Sequence, residues 1–356
     1  MQLVFSAPCS KLSLGQVSYN LLREMWKRDY NIGYFPIGGV DLAPFQPSQD
    51  FIKWLQKSVD QRFNILKRDV ASLKMWHLSG SENLLGPNQI LATFYETDTP
   101  TETEKSIAEL QKKTLFCGKF SEDTFINSGI NNVSSYDLGF DEDIKLTGKK
   151  YLEGRTHWGL IQKFERRKNT EKIINLWVKK YGNNPKHSLS LCVNNPFFSP
   201  EDNQKLLAAA LDNKKWWNVS VIPPLGTNAE VNELTNAIDI DLSGASFSES
   251  WNLPAFNATC LGKWSVVTNY GGHKSWADSE NSVQIESEGL RECYDDWFFH
   301  KGKDFNQGSF CYYSDDALVD AFERAEQKAG TVNQSGLDTG KKFTYSKTLD
   351  QILSHA

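Results

Sequence analysis

Two separated segments of this chain carry residue types suited to holding an anion and a polyhydroxyl ligand. The first is Gln162-Lys163-Phe164-Glu165-Arg166-Arg167-Lys168-Asn169-Thr170, a cationic run between an apolar stretch and a helical pattern. Fixed ammonium groups beside a helix start can stabilise the negative charge that builds on a departing phosphate group. Taken alone, such a run marks a solvated surface. The second segment is Ala237 to Ala277, AIDIDLSGASFSESWNLPAFNATCLGKWSVVTNYGGHKSWA. It reads as an apolar strand (Ile238 to Leu242), a small-residue loop carrying Glu249, and a helix start at Leu253 and Pro254. A second strand follows (Ser265 to Thr268), then a Gly-Gly turn before His273. The Glu249 carboxylate offers two acceptor oxygens to hydroxyl groups. Asn257, eight positions on, can both accept and donate.

The elements around these segments alternate strand and helix. Thr170 is placed to cap a helix with apolar positions Ile173, Ile174, Trp177 and Tyr181, closed by Gly182. Ser188 to Val193 suits a strand covered on both faces. Ser199-Pro200-Glu201-Asp202 combines a cap, a first-turn Pro and an acid ahead of Leu206, Leu207 and Leu211. Val219 to Ile222 is a strand and Asn228 to Asn236 a short helix, and Ser314 can cap the helix of Leu318, Phe322 and Ala325. Repeated units of this size predict a parallel sheet wrapped on both faces.

The first half is similar in kind. Leu3 to Phe5 is a strand, and Ser13-Leu14-Gly15 leads into a helix bearing Val17, Leu21, Leu22 and Met25. Apolar runs recur at Ile32 to Pro36, Leu73 to Trp76, Ile90 to Phe94, Thr114 to Cys117 and Val133 to Leu138. The charged, Gly-bearing segment from Asp141 to Arg155 is the expected boundary, and Phe343 to Ser354 a terminal helix.

With 356 residues, 39% hydrophobic and 12% aromatic, the chain can bury a sizeable core, and its length predicts two domains. A net charge of -5 supplies no global basic field to attract nucleic acid or anionic lipid. The six cysteines are dispersed, without a zinc-type spacing, and read as reduced buried thiols. No run approaches the roughly 18 apolar residues of a membrane helix. The expectation is a cytoplasmic protein, in the host cytoplasm if phage-encoded.

Together the two segments resemble the nucleotide-sugar signature of GT-B glycosyltransferases of family 4. That resemblance implies two Rossmann-like α/β domains facing a cleft. Residues 1–150 would form the acceptor-side domain and 151–335 the nucleotide-sugar domain. Residues 336–356 would be a C-terminal helix crossing back to the first domain. In the family a Glu stands in a loop before a helix and another acid follows eight places later. Glu249 occupies the first place, and Asn257 replaces the second acid. A pattern like G-[RK]-x-x-x-x-K-G holds the diphosphate there; Lys163 and Lys168 match its cations, while Gln162 and Asn169 replace its glycines.

The resemblance implies a role for each position. Lys163 and Lys168 would stabilise the leaving diphosphate, aided by backbone N–H groups near Trp251, Asn252 and Leu253. Glu249 would orient the donor sugar, Asn257 would face the ribose, and Gly272 and His273 would line the donor pocket. Gly15 is the counterpart in the first domain, where a glycine lets the backbone approach a ligand closely. His77, at a strand end, is a candidate to face the reacting sugar or an ordinary hydrogen-bonded residue. Glu96 and Asp98 are candidates for acceptor hydroxyls, with Asp98 favoured as a cap for the helix after Pro100.

The implied activity moves a sugar from a UDP- or GDP-linked donor to an acceptor hydroxyl, with retention and without a metal or further cofactor. Two acceptors are open. One is a saccharide or glycan. The other is a hydroxymethylated base in duplex phage DNA, for which Lys67-Arg68, Lys112-Lys113, Lys149-Lys150 and Arg166 to Lys168 would supply a phosphate track. A catalytically silent module that binds nucleotide sugar is the alternative to an enzyme. Lys168→Ala and Glu249→Ala are expected to lower turnover and, if both side chains face an open cleft, to leave stability nearly unchanged.

Overall fold

The computed structural model describes residues 2–149 and 151–356. Lys150, named above for a phosphate track, lies outside the described residues. The chain divides into two compact units: 1–141 with 296–308 and 343–356, and 142–295 with 309–342.

The first unit is built on β1 (Gln2–Cys9), α1 (Ser13–Lys27), β2 (Asn31–Val40), α2 (Gln49–Asp60), α3 (Arg62–Ile65), β3 (Ser72–Met75), β4 (Gln89–Thr93), α4 (Glu102–Leu110), β5 (Lys113–Cys117), α5 (Lys119–Asn127) and β6 (Val133–Tyr136). Its six strands run parallel in the order β2-β1-β3-β4-β5-β6. Leu3, Val4 and Phe5 in succession are fully buried, the mark of a strand covered on both faces.

The second unit contains β7 (Thr156–Gln162), α6 (Thr170–Tyr181), β8 (His187–Val193), α7 (Pro200–Ala210), β9 (Val219–Val221), α8 (Asn228–Ala237), β10 (Ile240–Asp241), α9 (Leu253–Cys260), β11 (Trp264–Thr268), β12 (Val283–Ile285), β13 (Gly289–Glu292), β14 (Ser309–Tyr312), α10 (Asp315–Glu326) and α11 (Gln334–Lys342). Its six-stranded parallel sheet has the order β12-β11-β10-β7-β8-β9, and β13 and β14 form a separate antiparallel pair. Helix α12 (Tyr345–Leu353) returns to the first unit. There Arg28, the residue that closes α1, donates to Asp350 Oδ1 at 2.5 Å and to the Ser346 hydroxyl at 2.7 Å.

Several local expectations are corrected. The strand expected from Ile238 to Leu242 is regular only over Ile240–Asp241, with the Asp239 and Leu242 N–H groups still donating to the His157 and Gly159 carbonyls at 2.7 and 2.8 Å. The reason is a turn at Ser243, whose N–H and hydroxyl both donate to the Asp241 carboxylate, at 3.1 and 2.8 Å. Thr170 is not the cap of α6; that place belongs to Asn169, in the left-handed region at φ 56°. The Thr170 hydroxyl instead donates to the Lys163 carbonyl at 3.1 Å. Asp98 does not cap α4 either. Thr101 does, in a reciprocal capping box with Glu104. The chain leaves the first unit at 141/142, at the start of the expected boundary segment, and residues 336–356 hold parts of two helices, one in each unit. Residues 296–308 belong to the first unit, where the Asn306 N–H donates to Glu104 Oε1 at 2.8 Å.

Candidate functional site

In the second unit the chain runs outward from β7 through β8 to β9, then returns to place β10 on the other side of β7. The carboxyl ends of β7 and β10 therefore flank the point where strand order reverses, which is where open parallel sheets hold ligands. The loop after β7 carries residues 163–169, and the loop after β10 carries residues 242–252. Both singled-out segments thus leave adjacent strands at the same sheet edge.

There the side chains converge on Glu249, only 5% exposed. Lys168 Nζ lies 2.6 Å from its Oε1 and Arg167 Nη1 3.0 Å from its Oε2. Arg167 also donates to the Ser248 carbonyl at 2.6 Å and lies 3.4 Å from Glu165. Lys163 reaches the other oxygen of Glu165 at 3.5 Å and sits 5.3 Å from the centroid of Phe197. The four charged groups Lys163, Glu165, Arg167 and Glu249 thus form a linked chain, with Lys168 at its end. Burial by itself would raise the Glu249 carboxyl, but Arg167 and then Lys168 outweigh it and hold the group down at about 2. The carboxylate is ionised at any ordinary pH.

The cationic loop is fixed from below. Gln162 Nε2 donates to the Lys168 carbonyl at 3.1 Å and to the Thr170 hydroxyl at 3.0 Å. Asn169 holds the left-handed conformation that a glycine in the resembled pattern would take, which asparagine tolerates better than most residues. Its amide donates to the buried Tyr313 hydroxyl. The two departures from the family pattern therefore have structural work in this loop.

The acidic loop is fixed by a buried polar network. Asn252, the left-handed N-cap of α9, donates to the Ser243 carbonyl at 2.7 Å and faces His273 Nε2 at 3.2 Å. His273 Nδ1 lies 3.0 Å from the Thr268 carbonyl, an acceptor only. Nδ1 thus carries the proton and Nε2 accepts from Asn252. Burial pushes the imidazole down to about 4, despite the raising influence of Glu249, so the neutral ring persists. Gly272 packs directly under the acidic loop: its N–H donates to the Glu249 carbonyl at 2.8 Å. A Cβ there would stand 1.8 Å from the Ser250 carbonyl oxygen.

The remaining candidates are placed as follows. Trp251 is buried, its carbonyl accepting from Trp276 Nε1 at 2.8 Å, and Leu253 opens α9. Among the described residues, the peptide N–H groups of Asn252 and Leu253 donate to no acceptor. Asn257 lies in the second turn of α9, and its buried Oδ1 has no hydrogen-bond partner among the described residues. Gly15 falls within the first turn of α1, where a Cβ would meet the Ser10 backbone at 2.4 Å. The space beside it is filled by the chain itself, so its smallness serves packing. His77 is exposed just past β3, in edge contact with Trp76, and Glu96 and Asp98 follow β4. They belong to the first unit, and the Glu249 cluster to the second.

Sequence reasoning missed Arg167 and Glu165 as members of the site. A charge inside a charged run gives no sign of burial, and Arg167 is buried only because a loop about eighty residues on closes over it.

Sequence comparison matches the chain to no protein family and to no curated protein. Comparison of structures finds clear likenesses. Sucrose-phosphate synthase from Thermosynechococcus elongatus aligns with a TM-score of 0.67 at 12% identity, over 99% of this chain and 98% of that one. HepE of Anabaena, solved in complex with UDP-glucose, gives 0.64 at 13%, over 99% and 98%. The alpha,alpha-trehalose 6-phosphate synthase of Burkholderia multivorans gives 0.67 at 10%, over 99% and 97%. These likenesses establish the fold: the chain has the GT-B architecture of two Rossmann-like units.

Proposed function

We propose that the protein is a glycosyltransferase that takes a sugar from a UDP- or GDP-linked donor and passes it to an acceptor hydroxyl. The observation that carries this reading is the meeting of Lys168 and Glu249 at the β7/β10 switch point, 2.6 Å apart. A cation for a diphosphate and an ionised acceptor for sugar hydroxyls stand side by side there. The unengaged N–H groups of Asn252 and Leu253 at the start of α9 add donors for the same anion. A structural neighbour of the same architecture, HepE, binds UDP-glucose, which supports a nucleotide sugar as the ligand class.

In this reading Lys168, with Lys163 near the edge of the cluster, stabilises charge on the departing nucleoside diphosphate. Glu249 accepts hydrogen bonds from the donor sugar, and Arg167 keeps it charged and placed. Asn257, in the second turn of α9, is the proposed ribose contact in place of a carboxylate. Retention of configuration and independence from metal follow from the family resemblance. His77, Glu96 and Asp98 are proposed acceptor contacts from positions past the ends of β3 and β4.

We favour a saccharide acceptor over DNA. Lys67-Arg68 and Lys112-Lys113 lie at the amino ends of β3 and β5, the edge opposite the strand ends that hold ligands. Arg167 is committed to Glu249 and the Ser248 carbonyl. The proposed phosphate track is thus interrupted within each unit. No helix of the described residues is long and apolar enough to cross a membrane. The test is a donor and acceptor panel of UDP- and GDP-sugars read by mass spectrometry. Transfer or slow hydrolysis of one donor supports the proposal, and inertness toward all of them removes it. Binding to duplex DNA that strengthens at low salt would reopen the DNA acceptor.

A further inference from the structure

The two cations on Glu249 are held in very different ways. Arg167 is fixed on several sides: it lies 3.0 Å from Glu249 Oε2, donates to the Ser248 carbonyl at 2.6 Å and lies 3.4 Å from Glu165. Its own carbonyl also accepts the Phe247 N–H at 2.9 Å, so backbone and side chain tie the two loops together. The Lys168 ammonium has one hydrogen-bond partner among the described residues, Glu249 Oε1 at 2.6 Å. His273, the remaining titratable group facing the carboxylate, is neutral and bonded to Thr268 and Asn252. One oxygen of Glu249 is therefore permanently engaged, and the other is engaged by a flexible side chain that can leave.

We infer that the Lys168–Glu249 ion pair is an exchangeable latch: it opens when one ligand supplies both an anion for Lys168 and a hydroxyl for Glu249, while Arg167 acts as the positioning residue that keeps the carboxylate in place. This inference rests on the nucleotide-sugar reading of the site. An anion arriving alone must take Lys168 from Glu249, and leaves a buried carboxylate oxygen short of a partner. A sugar arriving alone must replace an ion pair by a bond from an uncharged hydroxyl, and leaves the Lys168 ammonium without its partner. A ligand carrying both groups satisfies both released partners at once. The latch thus disfavours the nucleoside diphosphate product relative to the intact donor, and so aids product release.

The experiment is a double-mutant cycle on the full chain, with dissociation constants for UDP and GDP measured by calorimetry in wild type, Glu249→Gln, Lys168→Met and the double variant. Glutamine keeps the shape and can still accept from Arg167, but releases Lys168. The latch predicts that Glu249→Gln binds the preferred diphosphate about tenfold tighter. It predicts no such gain in the Lys168→Met background, and a loss of affinity for the intact nucleotide sugar. Equal tightening in both backgrounds would reveal a general field effect and overturn the latch, as would no tightening at all.

Should Glu249→Gln not fold, wild-type protein carries the test. The free sugar of the donor that it turns over should lower the Kd for the diphosphate by at least about fivefold, the scale of a coupled pair of sites; independent binding would overturn the inference. Failure of the wild-type chain to bind any nucleotide or nucleotide sugar would instead overturn the reading of the site, and the latch with it.

Discussion

Arg167 Nη1 stands 3.0 Å from Glu249 Oε2 in a setting where both side chains are under a tenth exposed. Removing one partner of such a pair leaves an uncompensated buried charge. Arg167→Met is therefore expected to lower stability by on the order of 3 kcal/mol, with Lys168 covering part of the loss. Urea unfolding of the two proteins measures it. Wild-type stability in the variant would show that Arg167 does not hold this loop.

The same burial changes the expectation for Glu249 itself. An open-cleft position predicted little effect on stability, but at 5% exposure the group is part of the interior. Glu249→Ala leaves Arg167 and Lys168 facing each other and should destabilise by a similar amount, on the order of 3 kcal/mol. A melting temperature equal to that of wild type would restore the open-cleft picture.

Gly272→Ala tests the packing under the acidic loop. The new Cβ would stand 1.8 Å from the Ser250 carbonyl oxygen, a backbone atom that cannot swing away. The loop must move, and the cost should lie near the upper end of the roughly 1–3 kcal/mol seen for overpacking. Nucleotide-sugar affinity should fall with it, because Glu249 and Ser250 move together. Unchanged melting and unchanged binding would mean that the loop yields freely.

His273 gives a pH prediction with a definite sign. Its folded value lies near 4, below the ordinary 6.5, because burial disfavours the charged ring. The unfolded chain therefore binds more protons below pH 6.5, and stability contributed by the neutral ring is lost as pH falls from about 6.5 toward 4. The full shift corresponds to roughly 3 kcal/mol. Glu249, held near 2 against an ordinary 4.5, adds a second loss between about pH 4.5 and 2. NMR of the His273 ring checks the first step: its resonance should stay at the neutral position down to about pH 5. A midpoint near 6.5 would contradict the buried network.

Much of this architecture was legible in the residues. Runs such as Ser188 to Val193, bounded by caps and glycines, become buried parallel strands, the small serines fitting the covered sheet and Ser190 Oγ meeting His157 Nε2 at 2.8 Å. Ser199 and Ser314 cap the helices that they precede. Lys168 and Glu249 were singled out by resemblance to a known family pattern, and the structure sets them 2.6 Å apart. Other features depend on distant parts of the chain. The burial of Arg167 comes from Ser248, and the early end of β10 from a hydroxyl two residues on. Asn169 was read as a lost glycine, whereas its left-handed backbone keeps the loop shape that a glycine would allow. The docking of residues 296–308 on the first unit had no periodic signal, since it rests on the single aromatic Phe305 against the core, on Glu104 and on single loop contacts.

In the proposed function Lys168 and Glu249, 2.6 Å apart, form one half-site each for a nucleotide sugar. Its most direct test is nucleotide release from the UDP- or GDP-sugar that the wild-type protein uses, compared with Lys168→Ala, which leaves the Arg167–Glu249 pair intact. The variant should fold, with turnover lower by at least about tenfold, as loss of a charge stabiliser requires. A folded Lys168→Ala protein turning over at the wild-type rate would contradict it.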